Sequence, residues 1–433
     1  MISLTNRLRD ENLQFIYRLK REGIKYDLST MREFDLHFGS PHKEFKSVHI
    51  TGSNGKGSVS NMIFNVLRLK GKTGLYTSPH LVDFNERIFL QDRRIIDEEI
   101  EHYIDIYRDY INNGRINNRN PTFFEVTTEM AFQFYRDQKA EYASIEVGLG
   151  GRLDATNIIT PIVSVITRIS YEHTDRLGTT LEEIAREKGG IIKQGIPVVT
   201  GEDKPEPLKA IKRIAELRSS KYLNSYEYTK VSGIKVNDTG SRIWITTPTE
   251  EYKIDLKLIG NFQVDNARTT ITALESIDEN ISRKEVEKGL SNARWPGRMD
   301  VVRTNPLVIL DSSHNPSAAQ TLSRSIREIY HKKPLLVVGM LSDKDHFSYL
   351  HNISTCADDI ILTTPEEPER KVDPEKLKPM AEKTFRNVMV IPDPIEAYKE
   401  AIKESDFVVV TGSMYLVGAI SRYLGEDMSP FRK

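Results

Sequence analysis

Apolar residues recur at helical spacing at Leu13, Ile16, Tyr17 and Leu19, a pattern that predicts helix across residues 4–39. The period then changes. Ser47-Val48-His49-Ile50-Thr51 is a β-branched run that reads as a strand. It enters Gly52-Ser53-Asn54-Gly55-Lys56-Gly57-Ser58, after which Met62, Ile63, Val66, Leu67 and Leu69 share one helical face. Further strands are expected at 73–77, 142–147, 162–166 and 197–200, with helices at 97–111, 124–136, 181–192 and 207–219. Alternation of this kind predicts an α/β domain with a parallel-rich sheet. Residues 221–258 break the rhythm with short alternating strands and Asp238-Thr239-Gly240 as a turn, a small antiparallel piece. Helical patterns resume at 264–276 and 283–292, and Trp295-Pro296-Gly297-Arg298 reads as a linker. Beyond it, strands at 307–310, 335–338, 360–362, 388–391 and 407–410 predict a second, smaller α/β domain. The expected division is 1–296 and 297–433.

Composition narrows the function classes. The 433 residues carry 61 Lys and Arg against 62 Asp and Glu, a net charge of −1, so nothing suggests a protein that coats nucleic acid. The single cysteine, Cys356, excludes an intrachain disulfide and a cysteine-built metal site. Apolar runs fall short of the ~18 residues that span a bilayer, and residues 1–20 lack the apolar core of a signal peptide. A cytoplasmic protein with small-molecule substrates and no nucleic-acid or membrane partner is expected.

Four segments carry candidate chemistry. In the first, Gly52, Gly55 and Gly57 let backbone N–H groups approach phosphate oxygens, Lys56 adds a cation, and the helix that follows adds a partial positive charge at its N-terminus. Ser58 could meet Mg²⁺ or a phosphate oxygen. Two residues, not the four of the common phosphate loop, separate Gly52 from Gly55-Lys56. The second segment is an apolar strand that ends on Glu146 and meets Gly148, Gly150 and Gly151. Ligands bind beyond strand ends in open α/β sheets, and a carboxylate there suits a hard cation, although a glycine-rich connection would look the same. The third is Tyr171-Glu172-His173-Thr174-Asp175. His173 reads as a metal ligand, an acid/base group or an ordinary loop histidine, and Lys188, fifteen residues on, as a solvated lysine. The fourth, Asp311-Ser312-Ser313-His314-Asn315-Pro316, ends the first strand of the second domain.

Taken together and in order, these segments resemble the folylpolyglutamate synthase/dihydrofolate synthase family of the Mur-ligase superfamily. The resemblance spans nearly the whole chain. It also rests on Thr77-Ser78-Pro79-His80-Leu81, Phe123-Phe124-Glu125, Arg152-Leu153-Asp154-Ala155-Thr156-Asn157, Glu187-Lys188-Gly189-Gly190-Ile191-Ile192-Lys193, Asn261-Phe262-Gln263-Val264-Asp265-Asn266-Ala267 and Trp295-Pro296-Gly297-Arg298. It implies an N-terminal phosphate-loop domain, a Rossmann-like C-terminal domain, and an ATP- and Mg²⁺-dependent amide ligase that works through an acyl phosphate. A monovalent cation is a further possibility within the family. By the same resemblance Ser53, Asn54, Gly55, Lys56, Gly57 and Ser58 would hold the nucleotide phosphates, with Asn266, Arg298 and Asp311 as further nucleotide contacts. Ser78, Glu146 and His173 would be the metal ligands, and Lys188 a carbamylated lysine. His314 and Ser413 would serve the C-terminal side of the active site. Thr122, Phe123, Phe124, Glu125, Leu153, Asp154 and Ala155 would hold a pterin.

Some positions depart from the family pattern. Ser53 stands for a threonine, Phe262 for a histidine, Ser312-Ser313 for Gly-Ala, and Gly190 for an alanine. The expected activity is addition of L-glutamate to dihydropteroate, to folates, or to both, by a monomer. The rivals are another Mur-type ligase acting on a different pterin or a cell-wall precursor, and a nucleotide-binding regulator.

Overall fold

A computed structural model describes residues 14–19, 27–113, 120–367 and 369–429. Much of the helix expected over 4–39 lies outside them. Within the described part, Ser29–His37 is helical and buries Met31 and Phe34.

The first sheet has eight strands: β1 (Lys46–Thr51), β2 (Thr73–Tyr76), β3 (Ile88–Leu90), β4 (Arg93–Arg94), β5 (Tyr142–Glu146), β6 (Val163–Ile166), β7 (Val198–Thr200) and β8 (Tyr222–Asn224). Their order is β4-β3-β2-β5-β1-β6-β7-β8. The six from β2 to β8 run parallel, and β3 and β4 fold back antiparallel on the β2 edge. Central strands of a parallel sheet are covered on both faces, and β5 and β6 are accordingly buried along their whole length. Register matters for function here. Ile50 pairs with both Glu146 and Val165, and Thr51 pairs with Ile166, so β1, β5 and β6 end level with one another.

Of the antiparallel piece expected over 221–258, residues 230–256 form it as a meander, β9 (Lys230–Asn237), β10 (Gly240–Thr246) and β11 (Glu251–Leu256), whereas Tyr222–Asn224 joins the first sheet as the parallel edge strand β8 and Ser225–Tyr228 is a short helix. A six-stranded sheet follows: β12 (Asp300–Thr304), β13 (Leu307–Leu310), β14 (Leu335–Val338), β15 (Asp359–Leu362), β16 (Asn387–Val390) and β17 (Phe407–Thr411), ordered β12-β13-β17-β14-β15-β16. All its pairs are parallel except β12 with β13.

By packing, the chain falls into two compact units. The first comprises the chain to His80, Phe84–Thr229 and Ala267–Gly289. The second comprises Leu81–Asp83, Lys230–Asn266 and the chain from Leu290 onward. A single cut at 296/297 divides the chain by position, whereas packing interleaves it: the meander belongs to the second unit, where β9 meets the helix Pro316–Tyr330. Among the described residues, no helix is long and apolar enough to cross a membrane. Cys356 is buried, its Sγ donates to Ile353 O at 3.1 Å, and burial pushes the thiol up to about 11.

The core of the first unit also encloses a carboxyl group. Glu129, on the helix Phe123–Asp137, is fully buried; Oε1 accepts from Gln133 Nε2 at 3.1 Å, and Oε2 has no hydrogen-bond partner among the described residues. Burial, then the charge of Asp35, pushes it up to about 8, against Gln133 and Arg136. A raised acid favours the folded state only while protonated. Its contribution is therefore full below the unfolded value near 4.5 and is lost as pH rises through 8. Glu129→Gln should raise the thermal midpoint at pH 8, by the equivalent of a few kcal/mol at most, and change it little at pH 4. Melting curves at the two pH values check this; equal shifts at both would refute it.

Candidate active site

The level ends of β1, β5 and β6 gather four loops. After β1, the turn Gly52–Gly55 leads into the helix Lys56–Leu67, whose N-cap, Gly55, has φ 91° and makes no side-chain cap. An uncapped N-terminus with a left-handed glycine before it presents backbone N–H groups to an anion. Gly52 (φ 150°) has no room for a side chain: a Cβ there would meet Thr167 Oγ1 at 1.8 Å. Lys56 folds back over the turn, and Nζ donates to Gly52 O at 2.8 Å and Ser53 O at 3.2 Å.

A second lysine reaches the same turn from below. Lys188, near the end of the helix Leu181–Gly189, is 1% exposed, and its Nζ donates to Gly52 O at 2.8 Å and Glu172 Oε1 at 2.7 Å. The residue that reads as a solvated lysine when taken alone is therefore buried. The helix stops at Gly189, short of the expected 192, at the Gly189-Gly190 pair. Burial disfavours the charged form of Glu172, but Lys188 and then Lys56 outweigh it and hold the carboxyl down at about 2. Lys188 is lowered, first by burial and then by Lys56, with Glu172 opposing. One carboxylate thus faces two cations. His173 follows in a left-handed conformation (φ 45°) and opens the short helix Thr174–Leu177.

Glu146, 5% exposed, ends β5, and its Oε2 accepts from Ser78 N at 3.2 Å. These two positions are brought together because β2 pairs with β5 through Tyr76 and Ile145, two residues before Ser78 and one before Glu146. After β5 the glycine turn is held by Asp154, whose carboxylate accepts from Leu149 N (2.9 Å), Thr156 N (3.0 Å) and Thr156 Oγ1 (2.5 Å). Burial raises its pKa against these hydrogen bonds. Phe124 lies against the same turn, where a Cβ on Gly148 would strike its ring at 2.5 Å. Phe124 and Asp154 thus meet at Gly148-Leu149. Ala155 is buried and Leu153 half-buried beside them. Thr122 and Glu125 form a capping box: Glu125 N donates to Thr122 Oγ1 at 3.2 Å, and Thr122 N to Glu125 Oε2 at 2.7 Å. Phe123 is buried and stacks on Tyr17 at 5.4 Å.

The second unit has its own gathering point at the ends of β13 and β17. Asp311 accepts from Met299 N (2.8 Å), next to Arg298, and from Ser313 N (2.9 Å) and Ser313 Oγ. His314 Nδ1 lies 3.0 Å from Ser312 O, and Gly412 N donates to Ser313 O at 3.0 Å. Ser413 caps the helix Met414–Leu424 by accepting from Leu416 N at 3.2 Å. The Ser312-Ser313 departure is accommodated by the Ser313 bonds to Asp311. Asn266 Nδ2 donates to Gln263 Oε1 at 2.8 Å.

The Mur ligase middle domain family matches residues 50–274, and the Mur ligase glutamate ligase domain matches 297–414. A Bacillus subtilis protein named dihydrofolate synthase/folylpolyglutamate synthase is 32% identical over 412 residues, covering 93% of this chain and 96% of that protein. The chain belongs to the folylpolyglutamate synthase/dihydrofolate synthase family. Solved relatives agree. The folylpolyglutamate synthase of Thermotoga maritima has a TM-score of 0.86 at 34% identity, with 97% of both chains covered. The Mycobacterium tuberculosis enzyme, complexed with ADP and AMPPCP, has a TM-score of 0.89 at 28% identity, covering 97% of this chain and 99% of that one.

Within this ATP-dependent ligase, the residues expected to hold the metal include one donor that suits a hard cation, the Glu146 carboxylate. No three His, Cys, Asp or Glu side chains among the described residues are placed to hold a metal by themselves. Mg²⁺ usually keeps water and substrate phosphates in its shell and asks for one or two carboxylates, so a nearly buried Glu146 beside Ser78 suffices as a protein contribution. Glu172, which pairs with Lys188, went without an assigned role in the sequence reading and was signalled only by its place next to His173.

Proposed function

We propose that this ligase adds L-glutamate to dihydropteroate and to folates, by transfer of the ATP γ-phosphoryl group to a carboxylate and attack of the glutamate amine on the resulting acyl phosphate. The carrying observation is the convergence of the phosphate turn, the Lys188–Glu172 pair and the Phe124–Asp154 turn at the level ends of three adjacent strands. In this reading the amides of the helix Lys56–Leu67 and the Lys56 ammonium bind the phosphates and stabilise charge that spreads during transfer. Phe124 offers a ring face to a flat heterocycle, and Leu153, Asp154 and Ala155 border it. Thr122 and Glu125 set the start of the helix that carries Phe124. Mg²⁺, held by Glu146, Ser78 and His173, would supply charge neutralisation between two anions. By the family resemblance Asn266, Arg298 and Asp311 are read as nucleotide positions, and His314 and Ser413 as positions on the glutamate side.

Lys188 enters this reading as a carbamate. Burial and the nearby Lys56 charge favour the neutral amine that CO₂ requires. Gaining the carbamate means giving up the two bonds that the ammonium makes. The balanced net charge of −1 gives no hint of a macromolecular partner, in keeping with small-molecule substrates; the enzyme is read as a cytoplasmic monomer.

ADP release is the test, measured with ATP, glutamate and a panel of dihydropteroate, dihydrofolate, tetrahydrofolate and cell-wall precursor carboxylates, with product masses. Release that needs glutamate and a pterin, with mass gains of one glutamyl unit, is expected. Release independent of both co-substrates would favour a nucleotide switch, and release with a cell-wall precursor alone would reassign the acceptor.

A further inference from the structure

We propose that Thr167–Ser170, the segment leaving β6, is a clamp that sets the conformation of the phosphate turn, with Thr167 as the main positioning residue. The proposal rests on the nucleotide reading of that turn and deepens it.

The turn is two residues shorter than the common phosphate loop, so it has less chain with which to hold its own shape. The structure supplies the missing restraint from outside. Ser53 N and Asn54 N both donate to Arg168 O, at 2.8 and 3.4 Å. Ser53 Oγ donates to Ser170 O and accepts from Ser170 N, each at 3.0 Å. Asn54 Nδ2 donates to Ser170 Oγ at 3.2 Å. Thr167 Oγ1 lies 2.8 Å from Asn54 O and 3.2 Å from Thr51 O, so its one proton is shared between the two ends of the turn. The same oxygen fills the space in which Gly52 can have no Cβ.

These contacts decide which amides face an anion. Ser53 and Asn54 direct theirs at Arg168, so the N–H groups offered to phosphate are those of the uncapped first turn of the helix Lys56–Leu67. The clamp is itself clasped. Glu202, fully buried, accepts from Ile169 N at 2.6 Å through Oε2, and from Asp203 N and Lys204 N at 2.8 Å through Oε1. Lys204 Nζ donates to Ile169 O at 2.6 Å. On the outer side, Arg168 pairs with Asp203 at 3.1 Å and donates to Tyr226 Oη, and Arg268 lies over the Tyr226 ring at 4.2 Å. The backbone of residues 168–170 is thus immobilised from both sides, as a template for the turn must be.

The experiment compares Thr167→Val, Thr167→Ser and Ser170→Ala with wild type. It uses MgADP affinity by calorimetry, KM for each co-substrate, kcat and the melting midpoint. Thr167→Val keeps the shape and removes the hydroxyl. It should weaken MgADP about tenfold, about what one lost hydrogen bond to a buried carbonyl commands, and raise KM for ATP in parallel. KM for the acceptor and for glutamate should stay within about twofold. Thr167→Ser should restore the affinity, and Ser170→Ala should weaken it by a factor of about 2–3 in the same direction. If Thr167→Val fails to fold, Ser170→Ala and Thr167→Ser carry the test. A folded Thr167→Val or Ser170→Ala that binds MgADP as wild type does overturns the clamp, as does a Thr167→Ser that is no better than Thr167→Val. A wild type that binds no MgADP overturns the clamp and the nucleotide reading together. Tight MgADP binding without pterin-dependent ADP release overturns the acceptor reading alone.

Discussion

Lys56→Ala should lose nearly all turnover while keeping the fold, with kcat for ADP release falling about 10²- to 10³-fold. Two physical losses combine. The ammonium now bonds to Gly52 O and Ser53 O, so its removal loosens the turn. It is also a cation of the turn, and a positive charge that meets the γ-phosphate most strongly during transfer lowers the barrier more than it tightens ground-state binding. The effect should therefore appear mainly in kcat. Lys56→Arg should not recover it, because a planar guanidinium cannot replace a compact ammonium within so short a turn. Lys56 stands at the start of its helix, where alanine is tolerated, so circular dichroism and the melting midpoint should stay near wild type. A folded Lys56→Ala enzyme with near-normal kcat would remove the lysine from the chemistry.

The second large effect concerns Lys188 and Glu172. Removing one partner of a buried pair strands the other charge, at a cost of about 3–5 kcal/mol. Lys188→Met alone should therefore destabilise strongly, whereas Lys188→Met with Glu172→Gln should recover most of the stability and none of the activity. Denaturant melts of the four proteins in this cycle give the coupling directly. The pH dependence has a defined sign. Glu172 is held down at about 2, so its contribution is present above its unfolded value near 4.5 and is lost as pH falls toward 2. Carbamylation makes a separate demand on the same side chain. Lys188→Ala should regain part of its activity with added acetate or formate, which return a carboxylate to the vacated space. A Lys188→Arg enzyme of normal activity, with plain lysine in wild-type electron density, would dismiss the carbamate as a requirement.

The parts legible in the sequence are those in which one local pattern carries the whole message. β1, β5 and β6 announce themselves because each is a short run rich in β-branched or apolar residues between turn residues, buried in the sheet except at Lys46. The phosphate turn is legible because glycine at Gly52 and Gly55 answers a backbone need. β3 and β4 escaped because they are short and lie at or near a sheet edge, and β4 is two exposed arginines; β12 is an edge strand with two exposed residues; β8 was expected within an antiparallel piece but pairs parallel with β7. The T-x-x-E spacing of Thr122 and Glu125 is a capping signal that was there to be read, and the structure uses both residues so. Thr167 and Glu202 were out of reach for another reason. Thr167 meets Asn54 across 113 positions of chain, and Glu202 meets Ile169 across 33, so neither contact leaves a periodic trace.

The burial of Cys356 makes the natural chain a ready background for site-directed labelling. Thiol reagents attack the thiolate, and a buried thiol pushed up to about 11 offers almost none at neutral pH. One introduced surface cysteine would then be the sole fast-reacting group, without any prior substitution of native residues. Tyr171, 56% exposed and directly after Ser170, is a natural position for it. A fluorophore on Tyr171→Cys would sit at the border of the phosphate turn and report nucleotide arrival as a change in emission, in real time and with no need for turnover.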